Sequence, residues 1–129
     1  MAGNLFIALL HYPVYNKNGD VVTTAVTNMD VHDIARAART YGVKRFYIVT
    51  PIASQRELVE KIMQHWRKGY GCHYNPSRKE AFSIACVAST LDEVMEDVAC
   101  TAVGSPRIVA TGASLSGKLI TFKAFKEKI

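Results

Sequence analysis

Short apolar runs alternate along this chain with segments whose apolar residues recur every three or four positions, and this alternation constrains the fold more than any other feature. The first run, Leu5 to Leu10, is continuous and bounded by His11 and Pro13, as expected of a strand covered on both faces. Asp30 is read as opening a helix in which Val31, Ile34, Ala35, Ala38 and Tyr41 keep helical spacing until Gly42. Lys44 to Thr50 reads as a second buried strand stopped by Pro51, and Ser54 as the cap of a second helix carrying Leu58, Val59, Ile62 and Trp66. Ala81 to Ala88, Leu91 to Val103 and Arg107 to Thr111 continue the series as strand, helix and strand. Between the first strand and first helix, Asn18-Gly19 marks a turn between Val14-Tyr15 and Val21-Val22, which makes either a small hairpin or a mobile excursion. The expected class is α/β: a mostly parallel sheet with helices on both faces.

A chain of 129 residues fits one domain, and 49% hydrophobic against 21% charged residues is ordinary globular usage. The apolar runs are too short to span a bilayer as helices, and Met1 to Leu10 lacks the basic start and cleavage site of a secretory signal. A cytoplasmic protein with no membrane association is therefore expected. Cys72, Cys86 and Cys100 form no CxxC pair, so neither a disulfide framework nor a zinc knuckle is suggested. Cys86 and Cys100 read as core residues. Cys72-His73 beside His65 lacks a fourth ligand at useful spacing, and no metal is expected. The formal charge of +5 favours a polyanionic partner.

In open parallel sheets ligands gather beyond the carboxyl ends of the strands. His11, Thr50-Pro51 and Thr111-Gly112-Ala113-Ser114 should share that edge, the last as a small-residue turn that lets a ligand approach main-chain amides. The same turn begins a near-match to a phosphate-binding loop, Gly112 to Leu119, but Leu119 stands where a magnesium-binding hydroxyl belongs and Leu119 to Phe122 reads as extended. On the first helix, His32, Arg36 and Arg39 fall on neighbouring parts of one face. Arg36 rises among small residues, where its guanidinium could clamp a phosphate or order a partner chain, although from the residues alone a solvated helix face accounts for it better. Arg67-Lys68, Arg78-Lys79 and Lys44-Arg45, with Trp66, Tyr70 and Tyr74 close in sequence, could supply charge and stacking groups suited to RNA, and a solvated helix end explains them nearly as well. Asp30, Asp33 and Asp92 are explained by helix capping.

The stretch Thr27 to Val43, with an arginine inside a small-residue helix that ends in Gly42-Val43, resembles the first motif of the SPOUT methyltransferases. Taken with Ala8 to Asn16, Tyr47 to Pro51 and Gly69-Tyr70-Gly71, it is similar to a small bacterial family of RNA methyltransferases dependent on S-adenosylmethionine. The resemblance runs from about Leu5 to the C-terminus. It implies an α/β fold with a trefoil knot, a homodimer, and S-adenosylmethionine held in the knotted loops. It further implies that Arg36 acts near the substrate or the developing charge, and that Thr50, Pro51, Thr111, Gly112, Ala113 and Ser114 hold the cofactor. Asn28, Asp30, His32 and Arg39 then fall to the RNA side. Members of the family continue beyond the position of Ile129 with a strand and a glycine-rich loop. The expectation is therefore one SPOUT-like domain over residues 1–129, truncated at its C-terminus, with the knot incomplete.

The function expected is methyl transfer from S-adenosylmethionine to structured RNA, at a ribose hydroxyl or a base atom. One alternative is a non-catalytic RNA-binding or dimerisation module that uses the basic face. A third is a nucleotide-binding domain built on the imperfect phosphate loop.

Overall fold

The central strand shows why the sheet forms where it does. Phe46, Tyr47, Ile48 and Val49 are all buried, so the run is apolar on both of its faces and needs a cover on each. In the computed structural model, which describes residues 4–67, 81–101, 106–111, 117 and 119–128, this strand is β4 (Arg45–Val49). It lies between β1 (Phe6–Leu10) and β5 (Ala85–Ala88), and all three are parallel. The register runs from Phe6 opposite Arg45 to Leu10 opposite Val49, and from Phe46 opposite Ala85 to Val49 opposite Ala88. Strands β2 (Val14–Tyr15) and β3 (Val21–Val22) form the expected antiparallel hairpin. Its turn uses Gly19 at φ +83°. The Asn16 carboxamide closes the turn by accepting from the amides of Asn18 and Asp20 at 2.9 and 3.0 Å.

Side chains alternate across a strand, and the two faces of β4 accordingly feed two cores. Phe46 and Ile48 pack with Val31, Ala35 and Ala38 of helix α1 (Asn28–Thr40) and with Val59 and Met63 of helix α2 (Ala53–Arg67). Tyr47 and Val49 pack with Val94 and Val98 of helix α3 (Leu91–Thr101). Helices thus cover both faces, as the sequence pattern requires. The crossovers from β1 to β4 and from β4 to β5 place α1 and α2 on the same face, as right-handed connections stepping in one direction must. Helix α3 lies on the other face and reaches back from β5 to β1, so the direction of the chain reverses there.

Several boundaries differ from the sequence reading. Thr27, not Asp30, caps α1: its backbone is extended and its hydroxyl accepts from the amide of Asp30 at 3.1 Å. Asp30 sits in the first turn, where a carboxylate complements the helix dipole. At the other end Gly42 adopts φ +74°, its amide donates to the Arg39 carbonyl at 3.3 Å, and the Val43 amide reaches Ala38 at 2.9 Å. That pair of bonds is a Schellman closure, which favours glycine because a side chain resists this conformation. Helix α2 starts on the Ile52 carbonyl, which accepts from Gln55 and Arg56, and Ser54 lies inside its first turn. Helix α3 opens with a reciprocal box: Thr90 Oγ1 accepts from the Glu93 amide at 3.2 Å while Glu93 Oε2 accepts from the Thr90 and Ser89 amides.

Two expected strands fail in part. Ala81 and Phe82 are helical and the strand begins only at Ala85, because a continuous apolar run does not by itself distinguish strand from buried helix. Residues 107–111 form no strand; Ile108 and Val109 are 64% and 46% exposed. A five-residue run gains neither ladder bonds nor burial unless a neighbour pairs with it. Phe122, read as extended, instead begins helix α4 (Phe122–Lys128), whose Ala124 amide donates to the Thr121 hydroxyl at 3.1 Å. Cys100 is exposed, contrary to its core assignment, and Cys86 is half-buried with the Arg45 guanidinium 3.9 Å from its sulfur.

Candidate functional site

The carboxyl ends of β1 and β4 lie side by side and deliver His11 and Thr50 to one edge. His11 is 4% exposed. Its amide donates to the Val49 carbonyl at 2.9 Å, and its own carbonyl accepts from the Thr24 amide at 2.8 Å. Among the described residues, nothing hydrogen-bonds its Nδ1. Burial holds its pKa below the usual histidine value, while the carbonyl of Val49, the Asp30 carboxylate and the carbonyl of Leu9 pull the other way. The result is a neutral imidazole with one ring nitrogen lacking a partner, an arrangement a buried polar group tolerates only at a cost.

Thr50 is fully buried and committed. Its amide donates to the Ala88 carbonyl at 3.0 Å, its carbonyl accepts from Arg56 Nη1 at 3.0 Å, and its hydroxyl accepts from the Ile52 amide at 3.4 Å. Of that pair only Pro51 is exposed. Thr111 is exposed and outside any strand; Gly112, Ala113 and Ser114 lie outside the described residues, as does most of the imperfect phosphate loop. The Cys72-His73 pair and the basic residues Lys68, Arg78 and Lys79 also lie outside them.

Helix α1 separates the remaining candidates. Asn28, Asp30, Arg36 and Arg39 are exposed, whereas His32 is 8% exposed. His32, Arg36 and Arg39 therefore do not form one solvated face. His32 packs edge-on against Trp66 of α2 and against Phe82, with ring centroids 5.5 and 5.0 Å apart. Arg36 and Arg39 lie further along the helix and stay in solvent. Arg36 has no salt bridge among the described residues.

Open grooves flank α2, two of them beside candidate residues. One, of about 760 Å³, runs between its first two turns and the end of β5, with Arg56, Glu60, Lys61, Ser89 and Glu93 on its walls. The hydroxyl and amide of Ser89 hold the Glu93 carboxyl below the usual range. The other, of about 800 Å³, lies between the start of α1 and the second half of α2, where Met29, His32, Lys61, His65 and Trp66 meet. Sequence reasoning passed over Arg56, Ser89 and Glu93; the Thr90-x-x-Glu93 capping signature was the available clue to the last. On the opposite face, the Tyr47 hydroxyl donates to the Asp97 carboxylate, which Arg45 also approaches at 3.3 Å. Burial, with that carboxylate next, pushes the Tyr47 pKa up, so the phenol stays protonated and pins α3 to the sheet.

Residues 4–129 match the profile of a family described as SAM-dependent RNA methyltransferase. The chain belongs to this family. An uncharacterized protein of Aquifex aeolicus is 39% identical over 126 residues, covering 98% of this chain and 62% of that protein. Two proteins named tRNA (guanine-N(1)-)-methyltransferase, from Oleidesulfovibrio alaskensis and Nitratidesulfovibrio vulgaris, are 40% and 39% identical over 114 residues. Each match covers 88% of this chain and 27% of the named methyltransferase. The chain therefore spans less than two thirds of the length of these relatives. As a SAM-dependent RNA methyltransferase family member it calls for S-adenosylmethionine, a ligand rich in hydrogen-bonding groups. The Nδ1 of buried His11, unbonded among the described residues and at the edge where parallel sheets bind ligands, fits that demand. Thr50 is fully buried, and its hydroxyl, which accepts from the Ile52 amide, retains its O–H as a donor. Among the described residues no group of His, Cys, Asp and Glu is arranged to hold a metal ion, and no helix is long and apolar enough to cross a membrane.

Proposed function

We propose that this protein transfers a methyl group from S-adenosylmethionine to a nucleotide of structured RNA. The family match over residues 4–129 carries the proposal, and the polar vacancy at His11 Nδ1 supports the carboxyl edge as the cofactor side. Bound S-adenosylmethionine would supply a methyl carbon on a sulfonium sulfur, the acceptor's lone pair forming the new bond as the carbon–sulfur bond breaks, S-adenosylhomocysteine leaves and the acceptor's proton is lost to a base. The protein's part is alignment and charge, with no covalent nucleophile.

In this reading His11 Nδ1 takes one hydrogen bond from the cofactor, while the backbone near Pro51 and from Thr111 to Ser114 lines its pocket. Exposed Arg36 orients an RNA phosphate through its paired donors, with Asn28, Asp30 and Arg39 near it on the RNA side. The names of the two methyltransferase relatives make N1 of guanine in tRNA the first acceptor to try. The SPOUT resemblance adds a homodimer and a knotted cofactor loop to the proposal.

Calorimetric titration of S-adenosylmethionine into the 129-residue chain, followed by transfer of labelled methyl to bulk tRNA, tests it. Cofactor binding with transfer is the expected result. RNA binding that is salt-sensitive but without cofactor binding would replace it with the non-catalytic RNA-binding module. Sedimentation equilibrium tests the homodimer.

A further inference from the structure

Strand β1 and the segment that follows α3 carry complementary unfulfilled patterns. Phe6 to Leu10 is apolar at every position, as in the strands of a covered parallel sheet, yet among the described residues only β4 pairs with it. Four of its side chains are half-buried and Ala8 is exposed, whereas Phe46 to Val49 of β4 are all buried. The strand contains no charged residue or proline of the kind that keeps an edge from pairing. Residues 107–111 are the converse. Ile108, Val109 and Ala110 are apolar, exposed and part of no strand.

We infer that residues 107–111 dock on the outer edge of β1 as a fourth parallel strand, and that the docked form is the one that binds S-adenosylmethionine. Chain topology selects that edge. The steps from β1 to β4 and from β4 to β5 run in one direction, with α1 and α2 on one face; α3 covers the opposite face and touches both β5 and β1. A right-handed crossover through that second face steps back the other way. Because β4 already has both neighbours, the first open position lies beyond β1. Length agrees: α3 ends at Thr101, and residues 102–106 reach roughly 17 Å when extended, enough to step from a helix touching β1 to its edge. The segment has as many positions as β1, so pairing them end to end sets Thr111 beside Leu10 and next to His11. Ligands of open parallel sheets bind outside the carboxyl ends where the strand order reverses. With the fourth strand in place, that reversal falls between β1 and residues 107–111, beside the Nδ1 of His11. Without it one wall of the crevice is missing, so strand docking and ligand binding favour each other. The inference rests on the proposed function only in naming the ligand.

Hydrogen exchange of the 129-residue chain, resolved residue by residue by NMR with and without S-adenosylmethionine, tests the docking. Ile108→Asp combined with Val109→Asp puts charges where a docked strand is covered on both faces. Both residues are exposed in the undocked segment, so the amides of α1 and α2 should stay as protected as in the parent. The outer amides of β1 and those of residues 107–111 should exchange about tenfold faster in the double variant, and the difference should widen when S-adenosylmethionine saturates the parent. Affinity for S-adenosylmethionine should fall in proportion to the docked fraction lost, about tenfold or more. Ile108→Val combined with Val109→Ile keeps the apolar pattern and should behave as the parent does. Equal exchange of β1 in the parent and the aspartate variant, in both conditions, would overturn the inference. So would protection of β1 that rises with protein concentration and survives the aspartates, because the edge would then belong to a second copy of the chain. Cofactor binding with no difference in β1 exchange sinks the docking and leaves the methyltransferase; a clear difference in exchange without cofactor binding does the reverse.

Discussion

The guanidinium of Arg56, in the first turn of α2, donates to the main-chain carbonyl of Thr50 at 3.0 Å and so ties that helix to the carboxyl end of the central strand. The carbonyl it serves belongs to a fully buried residue. Arg56→Ala removes that donor and is expected to cost about 1–2 kcal/mol in urea denaturation. An unchanged midpoint would show that water replaces the guanidinium without loss.

The core is expected to be most sensitive at Phe46, which is wholly buried on the α1 and α2 face of the central strand. Phe46→Ala should lose about 3–5 kcal/mol, a large share of the roughly 5–15 kcal/mol available to such a domain. Phe46→Leu keeps most of the volume and should leave a cooperative transition that the alanine variant lacks at physiological temperature, read by thermal denaturation.

Tyr47 works on the other face. Its hydroxyl is bonded to Asp97, and Tyr47→Phe keeps the ring while removing that bond. A loss of about 1 kcal/mol is expected, with increased amide hydrogen exchange confined to α3, because the ring still fills its place against Val94 and Val98. Exchange that rose equally in α1 would contradict this division of the two cores.

His11 sets a pH dependence whose sign follows from its burial. Its folded pKa lies below the unfolded value of 6.5, so the unfolded chain binds the extra proton and stability falls as pH drops through that value. Glu93, also depressed, loses its contribution only at lower pH, as its carboxyl protonates below the ordinary value of 4.5. Urea midpoints should therefore decline in two separate windows. His11→Asn should flatten the upper window alone; a profile unchanged by that substitution would mean that His11 is not the group titrating there.

Arg36 is expected to separate stability from activity. Because it is exposed, Arg36→Ala should leave the denaturation midpoint within about 0.5 kcal/mol of the parent. Methyl transfer to RNA should fall at least about tenfold, the equivalent of one charge-assisted contact. Equal rates in the two proteins would remove Arg36 from the RNA side of the site.

The sequence by itself determined the local elements. Leu5 to Leu10 and Phe46 to Val49 are apolar without interruption, and the Asn18-Gly19 turn and the Gly42 closure use residues that tolerate positive φ, so near-neighbour physics suffices for them. The family resemblance, too, lay in contiguous residues from Thr27 to Val43. What only the tertiary structure decided depends on residues far apart in sequence. Helical spacing puts His32 in one row with Arg36 and Arg39, yet α2 buries only the first of them. Helical spacing likewise enrols Tyr41 and Leu58 in the core, yet they are 75% and 42% exposed because no element among the described residues covers them. Thr50 is by sequence a polar residue at a strand end, and only the fold shows it fully buried with its amide, carbonyl and hydroxyl bonded to Ala88, Arg56 and Ile52. Residues 107–111 carry a strand-like pattern but no strand, since a strand exists only by pairing, and pairing is a property of two segments. Burial and hydrogen bonding are shared between distant parts of the chain, and a residue's own identity does not say which partner will arrive.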